Sequence, residues 1–169
     1  WNPSSGPGVL LSNAALQWVP GHEDLLGRWA KALDPGSWIA VQVPGNFNAP
    51  SHVLMRELAE SPRWSPALAG VLRGGDSVAE PEQYLELFVD AGMNTDVWET
   101  SYSQVLTGTN PVLDWVRGTA LRPVMAALPP EEYEGFEAEY AALLRQAYPP
   151  KPWGTVFPFR RIFMVAHKP

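Results

Sequence analysis

The 169-residue sequence contains no cysteine. That absence excludes a disulfide framework, a thiolate nucleophile and thiolate metal sites, and it fits a reducing compartment. Histidine is scarce as well: the three residues, His22, His52 and His167, are scattered, with no HxxxH or carboxylate–histidine set at ligand spacing, so no metal is expected. No uninterrupted apolar run approaches the roughly 20 residues of a membrane span. The opening WNPSSGPG lacks the basic-then-apolar layout of a signal peptide. Positive charge is in deficit, with 12 Lys and Arg against 18 Asp and Glu for a formal net charge of −6, which argues against nucleic acid or an anionic membrane as partner. There is no internal repeat and no serine nucleophile elbow. The expectation is a soluble cytoplasmic protein whose anion sites, if any, are built from locally clustered arginine.

What is present is enough for a real core. The chain is 46% hydrophobic, and its eight Trp, six Phe and five Tyr supply large apolar surfaces, a length and composition that suit one domain plus a lobe. Eighteen Pro and 14 Gly, spread along the chain, read as many short elements rather than disorder. The first residues, Trp1-Asn2-Pro3, include no initiator Met, so a processed or truncated chain is expected.

The hydrophobic pattern divides the chain into alternating elements. Gly8 to Ser12 (GVLLS) reads as a strand buried on both faces of a parallel sheet. Leu25, Leu26, Trp29, Ala30 and Leu33 then fall at helical spacing, and LDPGS breaks the pattern before the strand Trp38 to Val43. Strand, helix, strand predicts a right-handed βαβ unit. A helix capped by Ser51 follows, then an insertion broken by Pro62, Pro66 and Gly74-Gly75. Glu80 to Ala91 predicts a helix with Leu85, Phe88 and Val89 on one face and Gly92 as its stop, leading into a strand at Asp96 to Thr100. Asn110-Pro111 opens a lobe helix, with Arg117 and Arg122 at its ends. Pro130 opens a longer one with a stripe of Tyr133, Phe136, Tyr140, Leu143, Leu144 and Ala147. The acidic run Glu131 to Glu139 is expected to be that helix's solvated side. Thr155 to Ala166 reads as a closing strand.

Several separated motifs in one order, SNAALQWVPGHEDLL, WIAVQVPGN, PSH, PVLDW and FPFRRIFMVA, together with Asn13-Ala14 and the turn Asp34-Pro35-Gly36-Ser37, resemble the class I S-adenosylmethionine-dependent methyltransferases. The likeness covers nearly the whole chain and points to a branch that esterifies small tricarboxylates. It implies an α/β fold: the C-terminal part of a Rossmann-like methyltransferase sheet, last strand antiparallel, with an inserted helical substrate lobe. The expected division is 1–47, 80–105 and 155–169 for the α/β core, and 48–79 and 106–154 for the cap. Such enzymes carry a Gly-rich loop after their first strand and an acidic residue after the second. No such loop follows a strand here, so the chain is expected to be the C-terminal two-thirds of the enzyme, with an incomplete cofactor site and an exposed edge at Val9-Leu10-Leu11 through which a homodimer would form.

The resemblance implies S-adenosylmethionine as cofactor, with Asn13, Ala14, Gln17 and Trp18 at its site, and a small carboxylic acid as substrate. No general base is needed, because a carboxylate is already ionised at neutral pH; alignment and desolvation are the task. Arginine suits the unreacting carboxylates because its planar fork pairs bidentately. Arg160 and Arg161 are therefore the leading substrate ligands, although neighbours on a strand point to opposite faces. His52, Arg122, Trp153 and Phe159 complete the substrate set, Arg117 is a weaker candidate, and Phe157 either lines the pocket or packs the lobe. His22 reads as a helix cap or a solvated residue. Two other readings compete: a non-catalytic module that binds a small acid or a partner, and a methyltransferase for another carboxylate or a phenol.

Overall fold

In a computed structural model of the chain, residues 6–169 are described. Four strands form one sheet in the order β1-β2-β4-β3: β1 (Val9–Asn13), β2 (Trp38–Pro44), β4 (Thr155–His167) and β3 (Asn94–Leu106). β1 runs parallel to β2, and β4 runs antiparallel to β2, as expected for the last strand. The parallel pair needs a crossover, supplied by α1 (His22–Ala32), which carries Glu23 and Asp24 in its first turn and Lys31 in its last, charges that complement the helix dipole. The other helices are α2 (Pro50–Glu60), α3 (Ser65–Leu68), α4 (Pro81–Asp90), α5 (Pro111–Arg117), α6 (Arg122–Ala127) and α7 (Pro130–Ala147). Among the described residues, no helix is long and apolar enough to cross a membrane.

The chain divides into two compact units. The first comprises residues up to Gly45, Ser77–Ser101 and Arg160–Pro169. Its apolar core includes one face of the sheet, Ile39, Val41, Val43, Ile162, Met164 and Ala166, and the inner sides of α1 (Leu26, Ala30) and α4 (Tyr84, Phe88). α4 presents Tyr84 and Phe88 inward, four residues apart, and leaves Leu85 and Val89 exposed, so of the expected stripe Phe88 faces inward and Tyr84 takes the place of the other two. The second face of the sheet carries Val9, Leu11, Trp38 and Trp98, all exposed. Val9 and Leu11 are 73% and 77% exposed, so β1, expected to be buried on both faces, is open on one face as well as along its edge.

The second unit, Asn46–Asp76 and Tyr102–Phe159, is mostly helical. Met55, Trp64, Leu121, Val124, Phe136, Tyr140, Leu144 and Phe157 belong to its core. Ser51 does not cap α2: the cap position is Ala49, Pro50 opens the helix, and Ser51 is buried in the first turn. Its N–H donates to the Tyr148 hydroxyl at 3.1 Å, and its carbonyl accepts from the Tyr140 hydroxyl at 2.6 Å. Tyrosines from α7 and its end thus satisfy a buried helix start that has no capping side chain of its own. Arg117 and Arg122 belong to two helices, α5 and α6, rather than to the two ends of one. The acidic face of α7 is partly engaged: Glu137 pairs with Arg117, and Glu139 pairs with Arg63 and accepts from the Trp64 indole N–H.

The burial difference gives a direct test of the first unit. Ile39→Ala, at a fully buried position, should cost about 2–5 kcal/mol, whereas Leu11→Thr should change stability by no more than about 0.5 kcal/mol; urea titration of both variants measures the contrast.

Candidate functional site

Two parallel strands place their C-terminal ends side by side, the position where open α/β sheets hold ligands. β1 ends at Asn13, and the next residue, Ala14, has φ 50°, a left-handed conformation that costs a residue with a β-carbon roughly 1–2 kcal/mol. The strain is held in place by two bonds. The Ala14 N–H donates to the Gln42 carbonyl at 2.9 Å, and the Gln17 side-chain amide donates to the Ala14 carbonyl at 2.6 Å. Gln17 is buried, whereas Asn13 and Trp18 are exposed. The four residues expected at the cofactor site therefore lie along one short stretch, from the last residue of β1 through Ala14 to a single 3-10 turn at Leu16–Trp18.

Strand register sets which side chains share a face. Asn13, Gln42 and Phe163 stand in one row across β1, β2 and β4, and Pro44 pairs with Arg161. Arg161 donates from Nη1 to Gln42 Oε1 at 3.1 Å, and Trp98 stacks on Phe163 with centroids 5.3 Å apart. Arg160 lies on the opposite, helix-covered face with Ile162. Its stem crosses Gly45, where a β-carbon would stand 3.2 Å from Arg160 Cγ and Cδ. The Arg160 guanidinium pairs with Glu80 at the start of α4 and with Glu99 on β3, its Nε lying 2.8 Å from Glu99 Oε2. These bonds, led by that to Glu80, hold it more firmly protonated than an ordinary arginine.

His22 is neither a cap nor solvated. Gly21 is the cap position, and the His22 ring is buried with Nε2 2.6 Å from the Tyr84 hydroxyl and Nδ1 3.3 Å from the Val19 carbonyl. The bond joins α1 to α4, and burial raises the Tyr84 pKa.

In the second unit, His52 is half-buried, with Nδ1 3.2 Å from Ser51 Oγ and its ring 5.6 Å from that of Phe47. Burial, reinforced by the Arg56 charge, pushes its pKa down to about 4, so at neutral pH it is an uncharged hydrogen-bonding group rather than a cation. Arg117 is committed to Asp114 and Glu137, and Glu137 also accepts from Tyr133. The Arg117 bond depresses the Glu137 pKa, while burial and Glu137 push the Tyr133 phenol up to about 12. Phe157 is a core residue, 1% exposed; Phe159 packs beside it and against Trp115, and Trp153 is 58% exposed. Arg122 is exposed at the first residue of α6.

Gln42, Gly45, Glu80 and Glu99 were not among the candidates read from the sequence. A signal existed for Gln42, the one amide side chain in the apolar run WIAVQVP. The two glutamates carry no local signal, because their shared partner is distant in sequence.

No family model matches the chain. It is 57% identical to a trans-aconitate 2-methyltransferase from Streptomyces coelicolor over 171 residues, covering 100% of this chain and 56% of the relative. It is 55% identical to one from Rhodococcus jostii (98% of this chain, 66% of the relative) and 51% identical to one from Mycobacterium tuberculosis (98% and 64%). Among solved structures, a methyltransferase from Bacillus halodurans aligns with a TM-score of 0.49 at 10% identity, covering 95% of this chain and 64% of that one. Each of the three curated relatives described bears the name trans-aconitate 2-methyltransferase, and the chain spans 56–66% of their length.

His52 sets a pH dependence whose sign is fixed. With a folded pKa near 4 against 6.5 for the free side chain, the unfolded state takes up the proton first as pH falls. The contribution is complete above about 6.5, is lost progressively towards 4, and changes no further below that. His52→Gln should flatten this part of the profile of urea midpoint against pH.

Proposed function

We propose that the chain forms part of an S-adenosylmethionine-dependent O-methyltransferase that esterifies one carboxylate of trans-aconitate or a closely related tricarboxylate. The observation that carries the reading is 51–57% identity over 98–100% of the chain to relatives of that name. The turn after β1 suits the polar end of the cofactor: Asn13, the strained Ala14 backbone and Gln17 offer amide groups, and Trp18 offers an exposed ring. When bound, S-adenosylmethionine supplies an electrophilic methyl group on a sulfonium, which an ionised carboxylate accepts with no proton to remove.

The protein's work is then to hold the acid and strip water from the reacting oxygen. Arg161 is the favoured clamp for a carboxylate that does not react: it shares the Gln42 and Asn13 face at the strand ends. Arg160 is the weaker choice of the pair, since Glu80 and Glu99 already neutralise it and a substrate would have to displace one of them. In the second unit, His52 as a neutral donor, Arg122, Trp153 and Phe159 are the proposed substrate contacts. Self-association through the β1 edge belongs to the same proposal, with Val9 and Leu11 exposed there.

The test is mass-spectrometric detection of a methyl ester of trans-aconitate formed with S-adenosylmethionine by the protein that contains this chain. Arg161→Ala should weaken the acid by about 2–4 kcal/mol, read as a rise in KM. Acid binding without methyl transfer would leave a small-acid-binding module, and transfer to a phenol in preference to the acid would overturn the substrate assignment. Sedimentation that finds only monomer would remove the dimer.

A further inference from the structure

Gln42 is buried in the middle of the sheet, only 5% exposed, and a buried amide is unfavourable unless each of its polar atoms has a partner. One half is satisfied, since Oε1 accepts from Arg161 Nη1 at 3.1 Å. That bond fixes the orientation of the group: exchanging oxygen and nitrogen would turn an NH2 donor towards a guanidinium that can only donate. The other half, Nε2, is fully buried and has no hydrogen-bond partner. Its main-chain carbonyl is already used by the Ala14 N–H, at 2.9 Å. The residue therefore presents a fixed, dry donor beside a guanidinium, in the row of Asn13 and next to the strained turn after β1. The group that completes such a set is an acceptor with negative charge, because a donor pair beside a fixed cation gains most from an anionic oxygen.

We infer that Gln42 is a ligand-recognition residue whose buried amide, with Arg161 beside it, takes a carboxylate oxygen of a bound molecule at the C-terminal ends of β1 and β2. The inference rests on the methyltransferase reading, in which two molecules bring a carboxylate: the acid acceptor and the methionine end of the cofactor. The assignment differs from the Arg161 clamp in naming the group that fixes the orientation of the bound carboxylate, because Gln42 cannot rotate without breaking its bond to Arg161.

The experiment follows the side-chain amide of Gln42 in the 13C,15N-labelled 169-residue chain, its signal pair assigned through bonds to its own backbone and checked by its disappearance in Gln42→Met. Trans-aconitate and S-adenosylhomocysteine are titrated separately. The pair is expected to shift with one of them, and the ligand that moves it identifies the source of the carboxylate. Gln42→Met, similar in volume but without donor or acceptor, should weaken that ligand at least tenfold by calorimetry, and Gln42→Glu, which adds like charge, should abolish its binding. If the variants do not fold, the shift in the unaltered chain decides. An amide unmoved by either ligand, with binding unchanged in Gln42→Met, overturns the inference and leaves the methyltransferase reading intact. Failure of the unaltered chain to bind either ligand overturns it too and reduces the occupant of Nε2 to water. A shift with trans-aconitate in a protein that makes no methyl ester upholds the carboxylate site while the proposed reaction fails.

Discussion

Consecutive side chains on a strand leave opposite faces, and in β4 this rule separates two adjacent arginines into different environments. Arg160 turns to the helix-covered face, where Glu80 and Glu99 receive it; Arg161 turns to the open face, where it meets Gln42. Register does the rest, because β4 lies antiparallel beside β2 and brings Arg161 opposite Pro44, two pairs beyond Phe163 and Gln42 and so on the same face. A slip of one residue would exchange the two arginines and bury the wrong charge. The apolar residues Ile162, Met164 and Ala166 hold against such a slip, since each would leave the buried face together.

Burial of polar groups follows a common logic in both units. His22 is matched to Tyr84, and the start of α2 is matched to Tyr140 and Tyr148. In each case a tyrosine carries a hydroxyl into an apolar interior and contributes ring surface at the same time. Gln42, two residues inside the C-terminal end of β2, departs from that pattern: its Nε2 is buried with no tyrosine or other partner among the described residues to receive it.

Much of the fold was legible in the sequence because its signals are local. Pro81 and Gly92 bracket α4, Pro130 opens α7, and the apolar runs of β2 and β4 announce themselves. The antiparallel last strand was legible through family likeness rather than through pattern. What escaped was set by distant partners. Ser51 looks like a cap until Tyr140 and Tyr148 arrive from α7, and His22 looks solvated until Tyr84 closes over it. β1 looks doubly buried because its residues are apolar, yet the sequence of a strand does not say whether a layer stands on its second face. The residue types of the candidate site were on view in the sequence, whereas the different surroundings of Arg160 and Arg161 needed the register.

Gly45 gives the sheet a property that concerns variation rather than stability. Its missing side chain is the space through which the Arg160 stem passes, with a β-carbon there 3.2 Å from Cγ and Cδ and 3.3 Å from Ile162 Cδ1. Positions 45 and 160 are thus coupled: a β-carbon at 45 requires the Arg160 stem and the Ile162 side chain to give by a few tenths of an ångström. Because the guanidinium at the end of that stem is the shared cation of Glu80 and Glu99, a change at 45 is felt by two carboxylates that it does not touch.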